Sequence, residues 1–348
     1  MTTFDTIGEI TASVQEGGWR ATGNIFGDAD RLQWYQEAES WFYLYRGGAW
    51  EPDPRLGFRG HLLPEQWQKT FQSSVAPWRA FTAQEYLKRL EVQGIFFAEA
   101  ASPANQHQLN VDDTYGHIVE HILGAAGEYG HWNGVIDIWP EGFCRLNIDK
   151  TNSAAPGTHE VKAGNIWSRL QEIARAEFFR LWVSKDNIIN YQVDGMFQSP
   201  LPDVTMDITS AHLLEPLQII PRNTEQIGQI KLFGTTPGGE QIDGTYPTDP
   251  TAGPPIVEGG FMATSNAQMA TVAERKYKYA NRDYSVMATL PGAQGLLFEI
   301  MDRVSITYTS SADNITWSAK KFWVEEIRVR LTDQFNAVTT MRLEAENA

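Results

Sequence analysis

The strongest constraint on the fold lies in segment 296–344, where apolar and polar side chains alternate along three consecutive runs. The apolar residues of the first two runs are Val304, Ile306 and Tyr308, followed by Phe322, Val324, Ile327, Val329 and Leu331. Period-two runs that are rich in β-branched and aromatic residues are typical of antiparallel strands. The change of parity at Glu325 and Glu326 predicts a β-bulge, which inserts one residue and re-aims the strand. With the third run, 337–343, the segment predicts half of a small β-barrel or sandwich.

Composition indicates a soluble globular protein of two or three domains, since 348 residues include 42% hydrophobic and 20% charged residues. The single cysteine, Cys144, excludes an intramolecular disulfide and any cysteine-cluster metal site. The N-terminus lacks the basic and apolar regions of a secretory signal, and no apolar run approaches the roughly 18 residues that span a bilayer. We therefore expect synthesis in a cytoplasm and no insertion into membranes.

The net charge of −15 is unevenly distributed along the chain. Residues 1–265 contain 18 Lys and Arg against 33 Asp and Glu, whereas residues 266–348 contain 10 of each class. Tight nucleic-acid binding needs clustered cations, so we expect no specific binding of DNA or RNA. Two explanations of the charge stay open. It serves solubility alone, or it forms an acidic wall along which a like-charged polymer passes without sticking.

The first 110 residues are predicted to form a β-rich domain. Strands are expected at 7–14, 19–26, 41–45 and 56–63. Gly17 and Gly18 between the first two strands favour a hairpin turn. Segment 84–100 is expected to begin as a helix through Leu90 and to continue as a strand.

The middle segment, 111–221, is predicted to mix helices with a hairpin. An apolar stripe at helical spacing indicates a helix at 113–123. A second helix is expected at 165–177, with Asn165 as its N-cap. It leads directly into a hairpin at 178–193, turned at residues 185–187, and further strands are expected at 135–139 and 143–148.

The last domain, 222–348, is predicted to contain a long loop, a helix and the closing strands. Segment 234–260 contains 12 Gly or Pro among its 27 residues, which favours a structureless loop that is either a linker or a mobile contact to a neighbouring subunit. We take the residues of this expected partner interface to be Pro237, Gly238, Gly239, Pro254 and Pro255. A helix is expected at 266–280, capped near Ser265. The predicted fold is therefore β-rich α+β, with two small β-barrel-like domains flanking an α/β helix–hairpin segment.

One motif has the residue spacing of a catalytic zinc site, but it can also be explained as part of a helix surface. His117, Glu120 and His121 fit the H-x-x-E-H pattern, in which two histidines hold zinc and the glutamate activates water. These residues lie opposite the apolar stripe of the helix, and no second motif supplies a third ligand, so a polar helix face is the favoured interpretation. We expect no metal, no cofactor and no catalytic residue. The 12 Trp leave carbohydrate binding as an alternative, because aromatic faces can stack on sugars.

Three stretches resemble bacteriophage tail hub (baseplate hub) proteins of the late control protein D type. The closing strands read LLFEIMDRVSITYT (296–309), FWVEEIRVRL (322–331) and AVTTMRLE (337–344). The helix and hairpin read IWSRLQEIARAEFFRLWVSKDNIINYQ (166–192), and the segment that leads into the closing strands reads ANRDYSVMATLPG (280–292). The resemblance covers about the last half of the chain by sequence and the first half only by architecture.

The resemblance implies a structural protein of a phage tail tip or a related tail-like particle. In such proteins two similar barrels per chain let a homotrimer present six near-equivalent positions, which joins a sixfold tail tube to a threefold tip. The implied partners are further copies of the chain, a tail tube or distal tail protein, and a spike, fibre or tail-tip protein. DNA would cross the ring only in transit. The implied location is the virion tail, assembled in the host cytoplasm.

Overall fold

A computed structural model gives the architecture of most of the chain. It describes residues 5–13, 18–26, 37–42, 45–46, 49–50, 55–62, 75–92, 94–98, 106–108, 113–123, 145–153, 158–198, 200–221, 226–236, 239–263, 265–312, 314–331 and 337–346. The strand expected at 135–139 and two of the expected interface residues, Pro237 and Gly238, lie outside the described residues.

The described residues of the N-terminal part are mostly in strands. Its elements are β1 (Asp5–Ser13), β2 (Gly18–Phe26), β3 (Glu37–Phe42), β4 (Tyr45–Arg46), β5 (Ala49–Trp50), β6 (Arg55–Leu62), β7 (Val75–Phe81), α1 (Ala83–Leu87), β8 (Glu91–Val92), β9 (Ile95–Ala98) and β10 (Gln106–Gln108). β1 and β2 pair antiparallel, which confirms the predicted hairpin. The expected helix at the start of 84–100 is present but ends at Leu87, before strands β8 and β9.

The middle part mixes helices and strands as the sequence predicts. Its elements are α2 (Tyr115–Leu123), β11 (Arg145–Ile148), β12 (Thr158–Val161), β13 (Gly164–Asn165), α3 (Ile166–Glu177), β14 (Phe179–Val183), β15 (Ile188–Val193), β16 (Val204–Thr209) and β17 (Gln218–Pro221). The side chain of Asn165 accepts a hydrogen bond from the Ser168 amide and caps α3, as expected. α3 ends at Phe178 in a left-handed conformation (φ 57°), which turns the chain into β14. Apolar residues of α2, α3 and the β14–β15 hairpin form one buried core.

The C-terminal part contains the closing strands and a smaller sheet. Its elements are β18 (Gln229–Thr235), β19 (Gln241–Tyr246), β20 (Pro255–Met262), α4 (Asn266–Ala280), β21 (Tyr284–Pro291), β22 (Arg303–Ser310), β23 (Ile315–Leu331) and β24 (Ala337–Ala345). Pairing of β23 with β24 shifts register between Val324 and Glu326, which confirms the predicted bulge. Ser265 caps α4 by accepting a hydrogen bond from the Gln268 amide.

The largest sheet joins the two ends of the chain. Its main path runs β11-β15-β14-β2-β1-β23-β24-β21-β17, with β7, β6 and β3 branching from β2 and with β22 and β16 branching from β23. β1 pairs antiparallel with β23, from Gly8 opposite Leu331 to Ser13 opposite Glu326. The β-rich α+β class is therefore confirmed. Within the described residues no sheet closes on itself, so the two predicted barrels are not seen as closed units.

The expectation of a structureless loop at 234–260 is wrong, because these residues supply most of a three-stranded sheet of order β19-β18-β20. One face of this sheet packs against α4, and the buried apolar residues of this core are Ile227, Ile230, Leu232, Ile242, Ala263, Met269, Val272 and Ala273. Glycine here serves close packing. A Cβ at Gly244 would lie 2.3 Å from a backbone atom of Met269 in α4. Gly244 therefore lets the helix approach the sheet closely.

Candidate functional site

The H-x-x-E-H residues are engaged in local contacts on α2. The Nδ1 atom of His117 accepts a hydrogen bond from the Thr114 amide at 2.9 Å, and Glu120 pairs with Lys150 at 2.7 Å. Burial lowers the pKa of His121, which lies against Phe97. No group of three His, Cys, Asp or Glu side chains could hold a metal ion in the part of the chain that the structure describes. The motif thus fits a half-buried helix surface better than a zinc site.

The tryptophans that the structure describes are mostly used in packing. Trp19, Trp167 and Trp323 are each at most 2% exposed, so none of them offers a face to a sugar. Trp317 stacks on Tyr284 with their ring planes 5° apart and their centroids 5.6 Å apart. Packing therefore accounts for these four of the 12 tryptophans.

Three residues of the expected partner interface, Gly239, Pro254 and Pro255, lie at the ends of strands of the small sheet. Gly239 lies at the β18–β19 turn with a positive φ of 84°, and a Cβ there would meet open space. The carbonyl of Pro254 accepts a hydrogen bond from the Gly228 amide, and Pro255 begins β20. All three residues are exposed. They are surface positions of an ordered sheet, and their role as an interface stays a prediction.

A buried ionic junction connects the small sheet, the hairpin and the closing strands. Arg282, which follows α4, donates to Glu325 of β23 at 3.0 Å, and Arg180 of β14 donates to Asp194 at 2.9 Å. Arg282 also lies 4.0 Å from Asp194. Both guanidinium groups lie against the ring of Tyr279, at 4.4 and 4.5 Å from its centroid. Two cations and two anions balance, as burial of charge requires.

A second junction is built around the carboxylate of Glu299. Its Oε1 accepts hydrogen bonds from the indole N–H of Trp19 and from the Ile300 amide, and its Oε2 accepts one from the Lys185 amide. The Lys185 ammonium donates to the Leu296 carbonyl at 2.7 Å. Strand β2, the turn of the β14–β15 hairpin and the segment before β22 therefore meet at one side chain. Burial raises the pKa of Glu299 to about 7, although the three donors favour its ionised form.

This pKa predicts how Glu299→Gln changes the dependence of stability on pH. The folded state holds the Glu299 proton more tightly than the unfolded state, so this group stabilises the fold below its ordinary pKa and loses that contribution as the pH rises through about 7. We expect the free energy of unfolding, measured in urea, to fall by about 1–2 kcal/mol more in the wild type than in the variant between about pH 5 and about pH 8.

The difference between the wild type and Glu299→Gln isolates the effect of Glu299 on stability from the effects of other titrating groups. Burial also raises the pKa of Asp302, whose carboxylate accepts from the Glu299 amide, so the variant keeps part of the slope. Burial lowers the pKa of His159 to about 4, which gives both proteins a common loss of stability in acid. Equal pH slopes in the wild type and the variant would contradict the prediction.

Neither junction is predicted by the sequence. Each charged or aromatic member stands alone with no motif around it, and two of the Glu299 donors, Lys185 and Trp19, lie 114 and 280 positions away. The one available signal was Arg282, a lone cation between a helix and a strand that both carry core residues.

None of the helices in the described ranges has the length and hydrophobicity to cross a bilayer.

Comparison with solved structures shows what fold this arrangement has. The tail protein from Neisseria meningitidis matches with a TM-score of 0.63 and 13% identity, over 99% of this chain and 97% of that one. The 43 kDa tail protein of prophage MuSo2 from Shewanella oneidensis matches with a TM-score of 0.57 and 10% identity, over 99% and 94% of the two chains. No protein-family model matches the chain, and no curated protein sequence matches it.

A third match extends the likeness beyond phages. A component of the E. coli type VI secretion system, described as similar to the bacteriophage T4 tail proteins gp27 and gp5, matches with a TM-score of 0.52 and 12% identity. That match covers 99% of this chain and 74% of the other. The resemblance to phage tail hub proteins is therefore confirmed at the level of the fold.

Proposed function

We propose that this chain is a structural protein of a phage tail tip or a related tail-like particle, and that it forms a hub ring. The observation that carries the proposal is the match over 99% of the chain to the Neisseria tail protein, which also covers 97% of that protein. Because the match covers nearly all of both chains, it favours a similar structural role for the two proteins over a single domain that they have in common. The buried junctions are consistent with such a role, because they tie the N-terminal, middle and closing parts together.

The proposed ring is a homotrimer in which the two β-rich parts of each chain, 1–110 and 222–348, take near-equivalent positions. It joins a tail tube or distal tail protein on one side to a spike, fibre or tail-tip protein on the other. The chain has no catalytic role in this proposal, and DNA crosses the ring only during ejection. Its place is the virion tail, after assembly in the host cytoplasm.

Negative-stain imaging of the purified protein tests the proposal most directly. We expect ring-shaped particles with threefold symmetry and a central opening. In parallel, antibody labelling of intact particles should place the protein at the tail tip. Monomers without ring-shaped particles, or labelling along the tail shaft or on the head, would contradict the hub assignment.

The charge distribution predicts the lining of the channel. Residues 1–265 carry an excess of 15 acidic residues, and a cationic wall would hold DNA by releasing its counterions. We expect part of this acidic excess to face the lumen, so that DNA passes with weak contact. A ring structure determined by electron cryomicroscopy tests this. A lumen lined by Arg and Lys, with the acidic residues outside, would mean that the charge serves solubility alone.

A further inference from the structure

A small cavity lies where the middle part of the chain meets the small sheet. Its volume is about 220 Å³, and its apolar walls are formed by Phe178 at the end of α3, Phe179 of β14, Phe261 of β20 and Val272 of α4. Phe179 and Val272 are 6% and 2% exposed, whereas Phe178 and Phe261 are half-buried. Sites for drug-sized ligands are larger, at about 300–1,000 Å³. This phenylalanine cavity therefore has room for a group of the size of one side chain.

A cation lies near each of the three phenylalanine rings of this cavity. The distances to the ring centroids are 6.0 Å for Arg180 at Phe178, 5.7 Å for Arg275 at Phe179 and 5.8 Å for Lys276 at Phe261. Cation–π attraction at these distances favours a cation beside an aromatic wall. Arg180 and Lys276 also line the cavity, together with Arg175 of α3 and Glu258 of β20. The cavity thus combines aromatic walls with three lining cations and one carboxylate.

Arg175 is the lining cation whose charge is not balanced. Arg180 pairs with Asp194 at 2.9 Å, and Lys276 pairs with Glu258. Arg175 is exposed, and its side chain makes no ion pair or hydrogen bond within the part of the chain that the structure describes. The other carboxylates of α3 and α4 are engaged elsewhere: Glu172 with Arg169, Glu177 with Ser153 and Tyr191, and Glu274 with Lys278. The cavity is therefore locally cationic in a chain whose net charge is −15.

We propose that the phenylalanine cavity receives an aromatic side chain of another tail protein, and that a carboxylate next to this side chain pairs with Arg175. An aromatic ring fits the volume and packs favourably against other rings. A carboxylate matches the planar guanidinium group, which donates two parallel hydrogen bonds to it. Aromatic residues that fill pockets are typical anchors of protein contacts. The inference rests on the proposed tail role, which surrounds this chain with other proteins, and it states how one of them is held.

A second copy of this chain fits the cavity less well than another protein does. Within the described ranges its one exposed aromatic residue is Phe233, at 47%. Phe233 lies opposite Asp243 in the β18–β19 register, and Lys231 lies two residues earlier on the same face of β18. The anion and the cation beside this ring cancel, so they offer no net charge to Arg175. A partner whose aromatic residue has an unpaired carboxylate beside it is therefore favoured.

Methyl NMR of the full chain tests the chemistry of the cavity with a minimal probe. 3-Phenylpropionate carries one ring and one carboxylate, and 3-phenylpropanamide is its neutral counterpart. We expect 3-phenylpropionate to shift the methyl signals of Val272 in a saturable way. The amide on the wild type, and 3-phenylpropionate on Arg175→Gln, should each bind roughly three- to fivefold more weakly, because an exposed ion pair contributes a factor of this size.

Arg328→Gln is the matched control, since Arg328 is 54% exposed and lies in β23, outside the cavity. It should bind 3-phenylpropionate with wild-type affinity, and Arg175→Lys, which keeps the charge, should recover part of the loss. A Val272 signal that does not respond to 3-phenylpropionate, or equal affinities of the wild type and Arg175→Gln, would overturn the site. Because the titration uses the purified chain, its result does not depend on the hub ring.

Photo-crosslinking in assembled particles identifies the partner. p-Benzoylphenylalanine replaces Gly259, which follows Glu258 and where a Cβ would meet nothing within 4 Å. We expect a cross-link to another tail protein, at an aromatic residue next to Asp or Glu, and a weaker one when Arg175→Gln is added. A cross-link to a second copy, no cross-link, or one that Arg175→Gln leaves unchanged would overturn the assignment. Antibody labelling away from the tail would instead overturn the proposed function, while the titration still decides the cavity.

Discussion

Arg282→Met should lower the free energy of unfolding by about 3–5 kcal/mol, because it leaves a buried carboxylate without its cation. The Arg282 side chain is fully buried and donates to Glu325, whose side chain is 8% exposed. Asp194 keeps Arg180 as a partner at 2.9 Å, so the loss falls mainly on Glu325. Methionine is close to arginine in length and leaves little cavity, so the measured loss of unfolding free energy comes mainly from the unpaired carboxylate of Glu325. Urea unfolding followed by tryptophan fluorescence measures it.

Two further variants test whether the loss of stability comes from burying an unpaired charge or simply from breaking an ion pair. Arg328 is 54% exposed and lies 3.7 Å from Glu9, so Arg328→Met should cost at most about 0.5 kcal/mol. Adding Glu325→Gln to Arg282→Met should recover a large part of the stability, because the remaining amide carries no net charge. Similar losses for Arg282→Met and Arg328→Met would show that the junction is not energetically distinct from a surface pair.

The features that could be predicted from sequence are those whose cause is local. Asn165 and Ser265 cap helices because a side-chain oxygen reaches an amide three residues on. The bulge near Glu325 is visible in the sequence because one inserted residue reverses the parity of an alternating strand. The turn of the β14–β15 hairpin is likewise set by neighbouring residues. Such signals do not depend on which distant strand becomes the partner.

The features that could not be predicted depend on distant partners. Nothing in β1 indicates that it pairs with β23, because antiparallel strands of similar pattern are interchangeable at the level of sequence. Gly and Pro content alone did not distinguish a mobile loop from a sheet whose glycines admit a helix. The alternation of Ile230 with Leu232, with Ile242 in the next strand, was the signal for the sheet that composition obscured.

The same limit applies to the exposed apolar residues of the small sheet, Phe233 and Val257. Alternation in β18 predicts that Phe233 faces away from Leu232, but not that α4 covers only one of the two faces. Whether an apolar residue such as Val257 is core or surface is decided by the packing of α4, which lies further along the chain. An exposed patch can therefore be recognised only after the tertiary arrangement is known.

Gly244→Ala should destabilise the small sheet by about 3 kcal/mol, because the added methyl group has no space. Its Cβ would lie 2.3 Å from the carbonyl carbon of Met269 and 2.5 Å from the amide nitrogen of Ala270. Both atoms belong to the backbone of α4, which cannot rotate away as a side chain could. We expect faster hydrogen exchange in α4 and β19, because the clash separates the helix from the strand beneath it.

Gly259→Ala is the matched control in the same sheet. A Cβ at Gly259 would meet nothing within 4 Å, so this substitution should change stability by no more than about 0.5 kcal/mol. Both substitutions add the same methyl group at a glycine in a strand, so the difference between them reports the close approach of the helix. Local exchange rates in α4 that rise equally in the two variants, or in neither, would show that Gly244 is not where the helix requires a glycine.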